Sequence, residues 1–397
     1  MSNNISIETL ANKVLPWVIE LRRDFHRYPE KSGQEERTSA VVAKTLKELG
    51  VEVKTGYHKT GVVGIIHGAK PGKTIGIRFD MDALEIEEKN NHDYKSLTPG
   101  LMHACGHDGH TAMGLGVARM LMEIKNDLAG TFKLVFQPAE EDAQSGGGAQ
   151  YMIRDGALQE PSVDHMIGMH LWPDQMLGTI GSRPGPIMAG SDPFIINIKG
   201  KGGHASLPNR SIDPIYIGSQ IINALQSIIS RNVDPFEPAV LTVGIFQGGT
   251  RYNVIPETAN IQGTVRTFSE ETRMLVRDRL IAIAEKTAVA LGGKAEVDYK
   301  LSYPPLINDK AVFDSAKASI ISELGEAAFV DVVRPAPGGE DFAYFAKAVP
   351  SVYLFIGYRK PGEEPVQPHN PHYDFDESAM GIGLRSYVRC AMDLARG

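Results

Sequence analysis

Three short apolar runs in the first half of the chain, "TIGIRFDMD", "GTFKLVFQPAEE" and "HMIGMH", each close on ionisable side chains. Runs this short, rich in β-branched and aromatic residues, read as buried strands rather than helices. A helical pattern that starts near Gly109 and continues through Leu121 separates the first two. Alternation of strand and helix predicts an α/β layer architecture with a partly parallel sheet. In such folds the chemistry collects outside the carboxyl ends of the strands, and the acids and histidines of the three runs fall there. Upstream, Ile7 to Leu49 reads as helical with a break at Tyr28-Pro29.

Near Gly185 the order of elements changes. Strand "PFIINIKG", a helix from Asp213 to Ser230, strands "AVLTVGIFQGG" and "TANIQGTVRTF", a helix from Glu271 to Leu291 and strand "KAEVDYKL" give βαββαβ, the order of a ferredoxin-like unit. The expected division is therefore a first domain of residues 1–184 with 301–397, interrupted by an inserted domain of residues 185–300. The first domain resumes with "AFVDVV", "SVYLFIG" and a last helix from about Glu377.

A net charge of -7 with no run of lysine or arginine excludes the electrostatic footprint of a nucleic-acid binder. No stretch reaches the roughly 18 apolar residues of a membrane span, and the first 30 or so residues lack an apolar signal core, so a cytoplasmic protein is expected. With Cys105 and Cys390 as its only cysteines, the chain has no disulfide framework. Cys105 lies instead in "LMHACGHDGHTAM", where metal or nucleophile chemistry is the natural reading. Cys105 and His107 are two apart and can face one ion, but no second pair completes a zinc finger.

Other segments offer partners. In "FQPAEED", Glu140 and Glu141 leave a strand through Pro138, and adjacent residues in a turn can divide the work of ligand and general base. In "VDHMIGMHLWP", His170 is favoured over His165 because it closes the strand. His369 and His372 sit in the Pro-rich "QPHNPHYDFDE", and Asp80 and Asp82 in "RFDMDALE" could ligate or could hold ligand histidines in one tautomer.

Taken together, "RRDFHRYPE", "RFDMDAL", "MHACGHDGHTAM", "FQPAEE", "GMH", "GKGGHAS", "YNVIPE", "GTVRTF" and "GGEDFA" resemble the M20 metallopeptidase superfamily. The resemblance is to its amidohydrolase branch, which includes hippurate hydrolases, N-acyl-L-amino acid amidohydrolases and aminoacylase-like carboxypeptidases. It implies a zinc-exopeptidase-type catalytic domain with an inserted lid and dimerisation domain, and a homodimer. It further implies two divalent ions, Zn, Mn, Co or Ni, held by Cys105, His107, Glu141, His170 and His369, with the Cys105 thiolate between them. Glu140 is implied as general base and acid. Asp82 falls at the superfamily's catalytic aspartate, while Asp80 stands where a ligand histidine is usual. His204 is implied to reach the scissile carbonyl across a dimer, and Asn253, Arg266, Gly338 and Gly339 to hold the substrate carboxylate. The expected reaction is hydrolysis of an N-acyl or N-aroyl L-amino acid, with a carboxypeptidase or dipeptidase, or a non-catalytic metal-binding relative, as alternatives. A thiolate committed to two ions is a poor attacker, so Cys105 is not expected to act as nucleophile.

Overall fold

The computed structural model describes residues 6–397, which form two compact units. Unit 1 comprises the described residues up to Ile187 with Ile307–Arg334 and Asp341–Gly397; unit 2 comprises Met188–Leu306 with Pro335–Glu340.

In unit 1 helix α1 (Ile7–Arg27) is capped by the Ser6 hydroxyl, which accepts from Thr9 N at 3.1 Å, and it buries Leu10, Val14, Val18 and Phe25 on one face. Helix α2 (Glu36–Glu48) follows the break at Tyr28-Pro29. Strands β1 (Glu52–Tyr57), β2 (Gly61–His67), β3 (Lys70–Asp80), β4 (Ala129–Gln137) and β5 (His165–Met176) join the strands Ser351–Arg359, Ile180–Ser182 and Phe329–Asp331 in one sheet. Its order is β1, β2, β4, β3, β5, then Ser351–Arg359, Ile180–Ser182 and Phe329–Asp331. Pairings at the centre are parallel and those at β1, β2 and the β2–β4 junction antiparallel, the mixed sheet expected. Helix α3 (His107–Glu123) is buried along nearly its whole length.

Register decides where the ionisable ends meet. β3 pairs with β4 as far as Asp80 opposite Gln137, and with β5 as far as Arg78 opposite Gly168. Asp80 and His170 both lie two residues past that last pair, so three strands deliver side chains to one edge. The strand carrying His170, which the sequence reading closes at that residue, instead continues to Met176, where Ser351–Arg359 stays paired with it. What ends at that level is β3.

Several elements lie outside the sequence expectation, among them an edge strand and a helix of unit 1. β1 is a polar edge strand without an apolar face to announce it. The helix Lys310–Leu324 buries Val312, Phe313, Ala316 and Ile320.

Unit 2 is a four-stranded antiparallel sheet of Gly190–Lys199, Ala239–Gly248, Thr258–Thr267 and Lys294–Tyr299 with helices Pro214–Arg231 and Glu270–Ala290. In space the second strand of this set lies at one edge, then the third, the first and the fourth, the ferredoxin-like arrangement. Phe194, Ile196, Ile221, Leu225, Ile261 and Leu280 fill its own core.

Candidate metal centre

Gly106, at φ 89°, turns the chain into α3 with the left-handed backbone that glycine tolerates, and a Cβ there would meet the Tyr373 hydroxyl at 2.8 Å. This turn sets Cys105 and His107 over the edge where β3 and β4 end and β5 carries His170. Beyond β4, Ala139 takes φ 56° and is held there by its N–H to Glu35 Oε1 at 2.9 Å, so Glu140 and Glu141 follow a fixed bend. His369 is also left-handed, at φ 63°, and its N–H donates to the Ala104 carbonyl at 2.7 Å. Two non-glycine residues in this region, each beside a functional candidate, are a local cost held by the surroundings.

Two of the ligand-capable groups share one sulfur. Cys105, His107 and His170 offer atoms within 4.8 Å of one another, and so do Cys105, Glu141 and His369. Cys105 Sγ lies 3.4 Å from His170 Nε2, and His369 Nε2 lies 3.1 Å from Glu141 Oε1. Glu140 stands with His107 and Glu141 in a third such group and is buried.

Hydrogen bonds select the nitrogen that each histidine presents. His107 Nδ1 faces the Asp82 carbonyl at 3.1 Å and Asp82 Oδ1 at 3.2 Å, so Nδ1 carries the proton and Nε2 is left without a hydrogen-bond partner. His170 Nδ1 donates to the Leu171 carbonyl at 2.7 Å, which turns its Nε2 toward Cys105. His110 uses both nitrogens: Nδ1 donates to Asp80 Oδ1 at 2.6 Å and Nε2 accepts from Leu171 N at 3.0 Å. It therefore has no lone pair for an ion. Asp82 also accepts from the Ser32 hydroxyl at 2.6 Å and from Glu141 N at 2.9 Å. It is an orienting carboxylate of the kind that fixes ligand imidazoles.

Charge in the centre is negative. Burial alone would lower the His107 pKa, but Asp80 and Asp82 raise it to about 10. Burial raises the Cys105 thiol well above its ordinary value, and Glu141, Glu140 and Asp80 push it further up. That is the reverse of the setting that activates a nucleophilic cysteine. Burial and the nearby His110 hold His170 well below the usual imidazole value, in the neutral form that ligates. An orphaned imidazole nitrogen, a thiol that needs a cation to ionise, and carboxylates around both fit a divalent metal pair.

His165, by contrast, begins β5 and sits 3.1 Å from Lys73 Nζ, away from these groups. His372 is only at a loop surface, its N–H on Asn370 Oδ1 at 2.9 Å. Residues the motifs did not single out support the centre. Arg78 is fully buried and donates to Asp80 Oδ2 at 2.6 Å, Gln137 Oε1 at 2.8 Å and Asp341 Oδ1 at 2.9 Å. Asp341 accepts in addition from Ala149 N at 2.9 Å. Both lie inside quoted motifs, "RFDMDAL" and "GGEDFA", and a charged residue in an otherwise apolar strand was the available signal.

In unit 2, His204 pairs in register with Val254, and Ala205 N donates to the Asn253 carbonyl at 3.2 Å, so His204 and Asn253 are neighbours. His204 Nδ1 accepts from Ser206 N at 3.1 Å, leaving Nε2 to carry the proton outward from an exposed ring. Arg266 lies opposite Ser191, and Ser191 also flanks Gly339, where a Cβ would come within 2.9 Å of the serine Cβ. Gly338 accepts from Ala189 N at 3.1 Å. Burial lowers the Arg266 pKa while Asp192 raises it.

Residues 76–393 match peptidase family M20/M25/M40. Among similar proteins, the N-acetyl-L-cysteine deacetylase of Bacillus subtilis is 43% identical over 381 residues, covering 96% of this chain and 87% of that protein. The N-acyl-L-amino acid amidohydrolase of Geobacillus stearothermophilus is 44% identical over 302 residues, 76% of this chain and 80% of that one. A solved structure from Bacillus subtilis, described as a dinuclear metal-binding peptidase of the M20 family, is 36% identical with a TM-score of 0.83, over 97% of this chain and 99% of its own. Among the described residues no helix is long and apolar enough to cross a membrane. Family match, relatives and a negatively charged thiol–imidazole–carboxylate centre agree: this chain belongs to peptidase family M20/M25/M40, in its amidohydrolase branch, and is a metallohydrolase.

Proposed function

We propose that the protein hydrolyses N-acyl or N-aroyl L-amino acids to a free amino acid and a carboxylic acid, using two divalent ions held by Cys105, His107, Glu141, His170 and His369. The observation that carries the reading is that Cys105 belongs to two of the ligand-capable groups, Cys105–His107–His170 and Cys105–Glu141–His369, so that its thiolate would be a ligand available to both ions. Imidazole, thiolate and carboxylate together suit Zn, Mn, Co or Ni. When bound, such ions polarise the amide carbonyl and lower the pKa of the attacking water toward neutrality. Glu140 takes the water's proton and returns it to the departing amine. Asp82 keeps the His107 tautomer fixed throughout.

Residues 185–300 serve in this reading as lid and dimerisation domain, in a homodimer. The strand Ala239–Gly248 is a sheet edge and carries exposed Val240, Ile245 and Phe246; Tyr252 nearby is fully exposed. An edge of this kind is a template for pairing with a second copy. His204 of one subunit then supplies its outward Nε2–H to the carbonyl oxygen held in the other. Arg266 supplies a fork for the substrate carboxylate with the Gly338–Gly339 backbone near it, while Asn253, next to His204 and toward the other end of the sheet, is a further group for that carboxylate.

The deciding assay is a panel of N-acetyl, N-benzoyl and indole-acetyl amino acids and dipeptides, run after chelation and after reloading with each metal. Release of amino acid from the acyl substrates, lost on chelation and restored by metal, is expected. Cleavage of the dipeptides alone would establish the dipeptidase alternative. Two further outcomes separate the roles of single residues. His170→Ala is expected to lose bound metal while His165→Ala retains it, measured by elemental analysis; the opposite pattern exchanges the two. Mixing inactive His204→Ala with inactive Glu140→Ala subunits is expected to restore part of the activity, and mixed dimers without turnover exclude action across the interface.

A further inference from the structure

A second group of metal-capable side chains lies in unit 1, built from residues outside the proposed catalytic set. Glu88 Oε1 is 3.3 Å from His26 Nε2 and 3.1 Å from His92 Nε2, and the three ligand atoms lie within 4.8 Å of one another. A tetrahedral ion with N and O bonds of about 2.0–2.2 Å separates its ligand atoms by roughly 3.3–3.5 Å. The two measured separations need shift by only a few tenths of an ångström to match. His92 Nε2, although close to Glu88, is not aligned for a hydrogen bond, and neither ring nitrogen of His92 has a hydrogen-bond partner. The hydrogen-bond network therefore leaves the two ring nitrogens of this half-buried imidazole unsatisfied, which an ion would correct in part.

The surroundings complete the pattern of a built site. His26 Nδ1 faces Asp108 Oδ2 at 2.8 Å, the carboxylate behind a ligand imidazole that fixes its tautomer and strengthens it as a donor. Glu88 is itself oriented, with Oε2 accepting from Ser96 N at 2.7 Å and Oε1 from Asn90 Nδ2 at 3.2 Å. His92 stacks on Tyr94 with centroids 3.8 Å apart, and Tyr94 donates to Asp374 Oδ2 at 2.9 Å. Arg22 offsets part of the negative charge through Asp108 and Asp374, at 2.8 and 2.7 Å. His26 and Glu88 are sealed, with side chains 0% and 1% exposed, whereas His92 is 17% exposed and gives an ion its way in.

We infer that His26 Nε2, Glu88 Oε1 and His92 Nε2 form a third metal site, distinct from the pair at Cys105, that takes a Zn²⁺-like transition ion with water in its fourth position. Two imidazoles and one carboxylate suit such an ion, whereas Mg²⁺ and Ca²⁺ demand oxygen ligands. Its structural effect is to pin the irregular segment around "NNHDYKS" to helix α1.

The test is a metal count on the full chain, stripped with chelator, reloaded with Zn²⁺ and desalted. His92→Phe keeps the ring stacked on Tyr94 and removes the ligand; His92→Gln removes it without the ring. Each is expected to hold one ion per chain fewer than the parent, with kcat unchanged. Equal metal content in parent and both variants overturns the site. An ion lost together with turnover in both variants overturns it as well, because the missing ion is then a catalytic one.

Discussion

Glu140→Gln is expected to lower kcat by about 10²–10⁴-fold, the usual share of a general acid–base residue, while leaving bound metal unchanged. The substitution keeps shape and removes the ability to shuttle a proton, so its effect belongs to the chemical step rather than to substrate binding. The residue is buried beside His107 and Glu141, at the end of a bend fixed by Glu35, and so is placed against the ligand groups without being needed to complete either triad around Cys105. Parallel measurements of kcat, KM and metal content separate the outcomes. A fall in metal content along with activity would make Glu140 a ligand and move the base to another residue.

Arg78→Met is expected to destabilise unit 1 by about 3–5 kcal/mol, the cost of leaving a buried charge without its partner. Here two carboxylates are left: Asp80 and Asp341 are both buried and both depend on the guanidinium. Burial alone would raise the Asp80 pKa, but Arg78, ahead of His107 and His110, holds it well below the ordinary carboxylate value. Loss of so much in a domain whose total stability is typically about 5–15 kcal/mol should appear as a large drop in the denaturation midpoint. Arg78→Lys is expected to recover only part of it, since an ammonium cannot reach Asp80, Gln137 and Asp341 with one planar fork. An unchanged midpoint for Arg78→Met would mean the carboxylates find other partners.

Much of this molecule is legible in the chain because its logic is local. The apolar runs ending in "RFDMD", "FQPAEE" and "HMIGMH" announce strands and place the chemistry at their ends, and the βαββαβ order announces unit 2. What local reading misses is set by pairing. His170 was expected to close its strand, yet the strand runs on to Met176, because a neighbour from residues 351–359 stays alongside. β1 carries no apolar face, being an edge. The choice between ligation and orientation at Asp80 and Asp82 depends on which histidine nitrogen each carboxylate meets, a tertiary fact. His110 shows the same limit: two residues of one motif, His107 and His110, differ in role only because Leu171 N occupies the second nitrogen of one.

The division of unit 1 by unit 2 has a consequence for how the protein comes into being. The core of unit 2 draws on residues 194 to 299, all of them contiguous, so it can fold as soon as that stretch has left the ribosome. The metal centre cannot. Cys105, Glu141 and His170 are synthesised before unit 2, but His369, whose backbone binds Ala104, comes nearly 200 residues after His170. Its central sheet likewise waits for Ser351–Arg359 to lie beside β5. During synthesis the chain therefore carries a folded core of unit 2 while residues 335–340 of that unit and the sheet of unit 1 are still incomplete. The group Cys105–Glu141–His369 comes together only when the last tenth of the polypeptide arrives. A chain truncated anywhere short of that point lacks His369 and its backbone bond to Ala104.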